Sequence, residues 1–379
     1  MAERSGPSRI LACILVGLGA LLLAFTVLVP TYAVKRLEVT PLDLESTTIA
    51  AGTGSVLNSA ALLQGEAQVD TNVDLVAQRF VTVEDPANKD VLTFQAGQTV
   101  RRTDKDGDGG ILTATVDRVT VNRHTSMPTN DPVGTIQTLP GTPGVEVPRE
   151  GLQYKFPFNT EKKSYPYFDL NARETFDINF VEETEVNGLK VYRFSQEIGP
   201  VDLSRAVPES PTNKLALPAD TWGVPGGDIE ITMTRYYTNV RDIWVEPTTG
   251  VIVNGQEQMH QYYGRSASQE EIDVLKVTFP WDEETIETQS ERAREALDKL
   301  NLFGRVMPII TGILGVIALG VGIFLGVRSG RGKDDDDLDY NNDDYTPNGG
   351  AGADQYDQPH DWTTDQTEQI PPVDPRNQR

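Results

Sequence analysis

The sequence predicts an α+β protein: a β-rich, mostly antiparallel extracytoplasmic domain bracketed by two transmembrane helices, with an amphipathic helix before the second span. Three observations lead there. Two apolar runs, Leu11–Val29 and Pro308–Val327, contain no charged residue. Between them lie stretches of alternating apolar and polar residues, punctuated by turn dipeptides. After Asp282 the apolar period lengthens from that of a strand to that of a helix.

Each apolar run approaches the roughly 20 residues that a helix needs to cross a bilayer. Lipid-exposed backbone must satisfy its own hydrogen bonds, so both runs are expected to be helical. The first is longer than the core of about 7–15 residues in a secretory signal, and Thr31–Ala33 is a poor cleavage site. It therefore reads as an uncleaved anchor. Arg4 and Arg9 before it compete with Lys35 and Arg36 after it, while Arg328, Arg331 and Lys333 closely follow the second run. Positive residues favour the cytoplasmic side. The expected topology is a hairpin in the plasma membrane with both termini cytoplasmic. Residues 1–9 form a short N-terminus, 10–30 the first span and 31–306 the extracytoplasmic domain, helical over 282–303. Residues 307–327 form the second span and 328–379 a disordered acidic tail, its composition rich in Asp, Gly, Pro and Asn. Gly322 and Gly326 form a G-x-x-x-G pair, matched by Ala20 and Ala24 in the first run. Such small residues allow close helix approach, within one chain or between protomers of a homo-oligomer.

The net charge of −23 argues against nucleic acid and anionic lipid as main partners. The single cysteine, Cys13, lies inside the first run, so the outer domain has no disulfide and must be held by burial.

Taken in order, the outer domain begins with an extended Thr-rich segment after Pro41 and a turn at Gly52–Gly54. Leu75–Val83, Asp90–Phe94 and Ile111–Val121 read as strands. Before the last of these stand Asp104, Asp106, Asp108 and Gly109, which match positions 1, 3, 5 and 6 of a calcium loop. Position 12 is Thr115 rather than a bidentate Glu, and strands flank the run. The readings are a solvated hairpin turn, which Asp-Gly favours, or a weak Ca2+ site. Asn122–Arg149 reads as a loop.

Leu152, Tyr154, Phe156 and Phe158 alternate with Gln153, Lys155, Pro157 and Asn159, giving a strand with one aromatic face for core packing or a ligand groove. Glu174–Ile198 reads as a hairpin about Asn187-Gly188. Pro200–Asp228 reads as a proline-rich surface loop. Ile229–Tyr237 and Arg241–Val253 give strands with a second hairpin at Pro247–Gly250, and strands continue through Gln256–Tyr263 and Asp273–Phe279. From Asp282 three acidic residues suit a helix N-terminus, and Ala293, Ala296, Leu297, Leu300 and Phe303 recur at helical spacing.

The segments GLQYKFPFNTEKKSYPYFD at 151–169, VNGLKVYRF at 186–194 and YYTNVRDIWVEPTTGVIVNGQE at 236–257 resemble an actinobacterial membrane-protein family labelled the porin PorA family, of uncharacterised function. VPTYAVKRLEVTPLDLESTT at 29–48 does so too. The resemblance implies a cell-envelope location and the same two-span arrangement. It brings no established catalytic or binding residues.

The sequence contains three histidines and no G-x-S-x-G, H-E-x-x-H or P-loop motif, so the chain is expected not to be an enzyme. The first expectation is a non-catalytic envelope protein whose outer domain handles an envelope lipid, a glycan or a partner protein. The alternative is an oligomeric, porin-like channel component; one helix pair makes no pore, and the outer segments lack the alternation of a membrane barrel. An envelope hydrolase of unrecognised type comes third.

Overall fold

Alternation and turn chemistry produce one long antiparallel sheet. The structure is a computed structural model and describes residues 9–330, so the short segment before Arg9 and the acidic tail from 331 lie outside it. The strands are β1 (Glu45–Leu57), β2 (Val69–Glu84), β3 (Val91–Arg102), β4 (Ile111–Asn122), β5 (Thr135–Gln137), β6 (Val145–Glu146) and β7 (Tyr165–Asp169). They continue as β8 (Glu174–Val186), β9 (Leu189–Asp202), β10 (Lys214–Pro218), β11 (Glu230–Glu246), β12 (Val251–Gly264) and β13 (Ile272–Pro280). Their order is β6-β5-β4-β3-β2-β1-β13-β12-β11-β9-β8-β7, with β10 on β11. The two halves of the chain therefore meet where β1 pairs with β13.

Both expected hairpins form. Asn187 and Gly188 take positive φ, 47° and 76°, as the tight turn between β8 and β9 requires. Glu246 pairs with Val251 across Pro247–Gly250. There Gly250 has no substitute, because a Cβ would lie 2.1 Å from the Phe156 carbonyl oxygen.

The sheet's far edges are joined by the segment between β6 and β7. Arg149 reaches Asp117 on β4, and both side chains are buried. Gln153 Nε2 and Tyr154 Oη donate to the same carboxylate at 2.9 and 2.6 Å. On the other side Leu152 pairs with β7: its N–H donates to the Pro166 carbonyl at 2.8 Å and its carbonyl accepts from Phe168 at 2.9 Å. The Arg149 guanidinium lies over the Phe168 ring at 4.2 Å. One short segment thus ties β4 to β7.

This closure changes what the sequence suggests for Gly151–Phe158. Alternation there predicts a half-exposed strand, but the segment bends, with Tyr154 at φ 65°, and Leu152, Gln153, Lys155 and Phe156 are all buried. Phe156 packs among Tyr165, Tyr167 and Phe194 at ring separations of 5.4, 6.0 and 4.9 Å. Other expectations are corrected for similar reasons. Gly52 and Gly54 stand inside β1, not in a turn, because a Cβ on either would strike the β13 carbonyl of Thr278 or Lys276 at 2.0 or 2.3 Å. Pro200–Asp228 is not a plain surface loop: it holds β10 and three short helical turns, and buries Trp222, whose Nε1 donates to the Ile231 carbonyl at 2.9 Å. Asn122–Arg149 contains the short strands β5 and β6.

The first apolar helix, Arg9–Leu28, widens into a π-helical turn at Val29–Ala33 around Pro30, which lacks the N–H to continue an α-helix, and resumes at Val34–Leu37. The acidic helix, Glu283–Asn301, begins as expected with Asp282 accepting from the Thr285 N–H at 2.8 Å. It runs through a π-helical stretch at Leu302–Val306 into the second apolar helix, Met307–Gly330. Both apolar helices are long and apolar enough to cross a membrane. They pack against each other, with backbone in contact at Gly19, Gly315 and Gly322. Ala12, Val16, Leu23 and Thr26 complete the first helix's face, whereas Ala20 and Ala24 are exposed. Thr26 and Thr311 share a hydroxyl hydrogen bond of 3.1 Å across the pair.

Replacing Asp117 with Asn should leave the Arg149 cation buried and unpaired. The expected loss is about 3–5 kcal/mol, read as a shifted unfolding midpoint of the detergent-solubilised full-length protein.

Candidate functional site

The sheet's inward faces carry polar residues where an ordinary core would be apolar. Arg241 on β11 donates to Asp169 at 2.7 Å, to Gln196 at 2.5 Å and to Glu257 on β12 at 3.1 Å. Tyr237 Oη donates to the same Asp169 carboxylate at 3.1 Å. Burial pushes the Glu257 carboxyl up, but Arg241 and Arg79 outweigh it and hold the group below its ordinary range. Arg79 on β2 donates through Nε to Gln98 at 3.0 Å and stands 3.8 Å from Glu257.

Arg79 is also a wall between open spaces. A cavity of about 120 Å3 lies on one side, among Thr48, Gln98, Arg241, Glu257 and Gln261. A smaller one of about 40 Å3 lies between Tyr154, Tyr167, Ile252 and Glu257. The largest, about 630 Å3, lies at the base of the domain. Arg79 and Trp281 line all three. Trp281 fits there because Gly255 faces it; a Cβ on Gly255 would be 2.8 Å from the indole ring.

The basal cavity is built by parts distant in sequence. Arg36 and Leu37 come from the end of the first helix, Lys299 and Leu300 from the end of the acidic helix. Its mouth therefore lies beside the two apolar helices. Leu44, Val81, Phe94, Tyr154, Phe158, Val251 and Ile252 supply apolar wall. Lys155 is buried against it; its Nζ donates to the carbonyls of Phe156 at 3.0 Å and Thr249 at 2.7 Å and stands 4.0 Å from the Phe158 ring centre. Burial pulls this ammonium down to about 7, with Glu246 opposing weakly.

Asp104, Asp106 and Asp108 lie on the β3–β4 connection, in and before a single 3-10 turn, Gly107–Gly110. Asp104 accepts two hydrogen bonds of 2.7 Å from Arg102, which holds its carboxyl below the ordinary range. Among the described residues no three His, Cys, Asp or Glu side chains are grouped to hold a metal ion. The structure does not bring the three aspartates together as a ligand set.

The aromatic stripe divides between both expected roles: Leu152 and Phe156 enter the core, while Tyr154 and Phe158 line the basal cavity. Arg79, Arg241, Glu257, Trp281 and Lys155 were not visible as site residues in the sequence. The available signal was a polar residue on the inward face of a strand, such as Arg79 between Ala77 and Val81, or Arg241 between Asn239 and Ile243.

Residues 11–324 match the sequence profile of the family described as Porin PorA. The chain is 33% identical over 384 residues to a "Porin PorA" of Corynebacterium amycolatum, covering 85% of this chain and 99% of the relative. It is 32% identical over 410 residues to a "Porin PorA" of Corynebacterium resistens, covering 86% of this chain and 98% of that protein.

Between about pH 7 and the ordinary lysine range of about 10.4 the unfolded chain carries the proton that folded Lys155 has lost, so wild-type stability rises with pH. Lys155→Met lacks this dependence. Relative to the variant, the wild type should gain stability by about 1.4 kcal/mol per pH unit at most between pH 7 and 9, measured by denaturant titration at each pH.

Proposed function

The chain belongs to the Porin PorA family, and from that premise we propose that it is a porin-like component of the cell-envelope membrane, non-catalytic and working as a homo-oligomer. The names of its relatives favour the channel-like expectation over the handling of a lipid, glycan or partner protein. The observation that supports the reading is the set of three cavities inside the domain, each lined by Arg79 and Trp281.

In this reading the two apolar helices cross the plasma membrane and place the sheet outside, both termini being cytoplasmic. Ile14, Leu21, Phe25, Ile309, Ile317 and Phe324 are exposed on the helix pair, as lipid-facing side chains would be. Within one copy the helices touch backbone to backbone at Gly19 and Gly315 and leave no opening between them. A pore therefore needs several hairpins around one axis, capped by their outer domains.

Full-length protein reconstituted in planar bilayers should give discrete conductance steps. Arg79→Ala, which removes the wall common to the cavities, should raise the unit conductance. Folded, inserted protein that stays silent across voltages and salts, and runs as a monomer by native mass spectrometry, would rule the reading out.

A further inference from the structure

The basal cavity is unusual in its charge. In a chain of net charge −23, six basic side chains line it against three carboxylates, Asp43, Glu45 and Glu295. Of the six, only Arg79 has a carboxylate within ion-pair distance among the described residues. Arg123 instead donates to the carbonyls of Thr40 at 2.8 Å and Asn88 at 2.9 Å. Arg292 donates to the Gln289 side chain and the Glu45 carbonyl, and Lys155 to its two carbonyls. Burial lowers the pKa of all three and outweighs the carboxylates that oppose it, Asp90, Glu246 and Glu295, none of which comes within ion-pair distance of its cation. Most of the rest of the wall is apolar, with Ser46, Thr48, Thr249 and Gln289 among it, and the mouth lies beside the apolar helices.

We propose that this cavity binds a single-chain anionic amphiphile of the long-chain carboxylate class, drawn from the adjacent membrane surface. The acyl chain lies along Val81, Phe94, Phe158 and Ile252, and the carboxylate pairs with the cations that lack a carboxylate partner. The volume of about 630 Å3 falls in the range of roughly 300–1,000 Å3 that suits one small ligand, so it favours one chain over a whole two-chain lipid. Apolar wall alone would hold a neutral chain equally well; the unpaired cations select the anion. This site stands apart from the conduction reading, because a bound amphiphile requires neither a pore nor an oligomer.

The test uses full-length protein in nanodiscs of zwitterionic lipid, with radiolabelled palmitate as the probe and hexadecanol as its neutral counterpart. Palmitate should bind saturably at one site per chain and about ten-fold or more tighter than hexadecanol. Lys155→Met and Arg292→Gln should each erase most of that preference. Ala296→Trp, which fills the cavity from the half-buried face of the acidic helix, should abolish binding of both probes while leaving the circular dichroism unchanged. Equal affinity for the two probes, or palmitate binding that survives Ala296→Trp, overturns the proposal. Conductance measured on the same preparations reports separately on the porin-like reading, so either can fail alone.

Discussion

The sheet domain depends on one buried carboxylate. Asp117 sits on β4 near one edge of a long sheet, and the segment that grips it pairs with β7 at the other edge. A sheet of this length presents open edges that would recruit other strands. Tying Arg149, Gln153 and Tyr154 to a single carboxylate brings the edges under one short piece of chain. Desolvation makes such a cluster costly, and the cost is recovered only while all partners are present. The knot therefore specifies one closed arrangement more than it adds stability.

Closure also explains the polar interior. Once the sheet curls, Arg79 on β2 comes within reach of Glu257 on β12, although two strands lie between β2 and β12 in the hydrogen-bonded order. Arg241 then bridges Asp169, Gln196 and Glu257. Each ion is satisfied by neighbours from different strands, so the network is rigid, and the spaces it leaves are walled by fixed polar groups. This differs from a solid apolar core, which would leave no such spaces.

The helix pair imposes a complementary restriction. Glycines on both helices bring the backbones into contact, and the hydroxyls of Thr26 and Thr311 satisfy each other between them. The pair acts as a stiff post at the base of the sheet domain. The π-helical turns at Val29–Ala33 and Leu302–Val306 occur together where the post meets the domain, and Gly304 there lets Val34 approach to 3.5 Å of its would-be Cβ. The basal cavity opens beside this junction, so its shape is coupled to how the post enters the domain.

Local chemistry was readable in the sequence. The apolar runs, the Asn187-Gly188 and Pro247–Gly250 hairpins, the Asp282 cap and most of the alternating strands follow from interactions within a few residues and appear where the pattern places them. Their order along the chain sufficed for a β-rich domain between two apolar helices. What failed were inferences about surroundings. Gly52 and Gly54 resembled turn residues but serve the close passage of β13, more than two hundred positions away. The run from Leu152 to Phe158 alternated like a surface strand but threads the closed sheet and is wrapped on both sides. Lys155, Arg123 and Arg292 are ordinary cations in the sequence; only the folded chain sets them around one cavity without carboxylate partners. Sequence alone determined the elements, because hydrogen-bond geometry and apolar period act locally. Tertiary structure decided the site, because burial and charge pairing depend on which distant strands closure brings together.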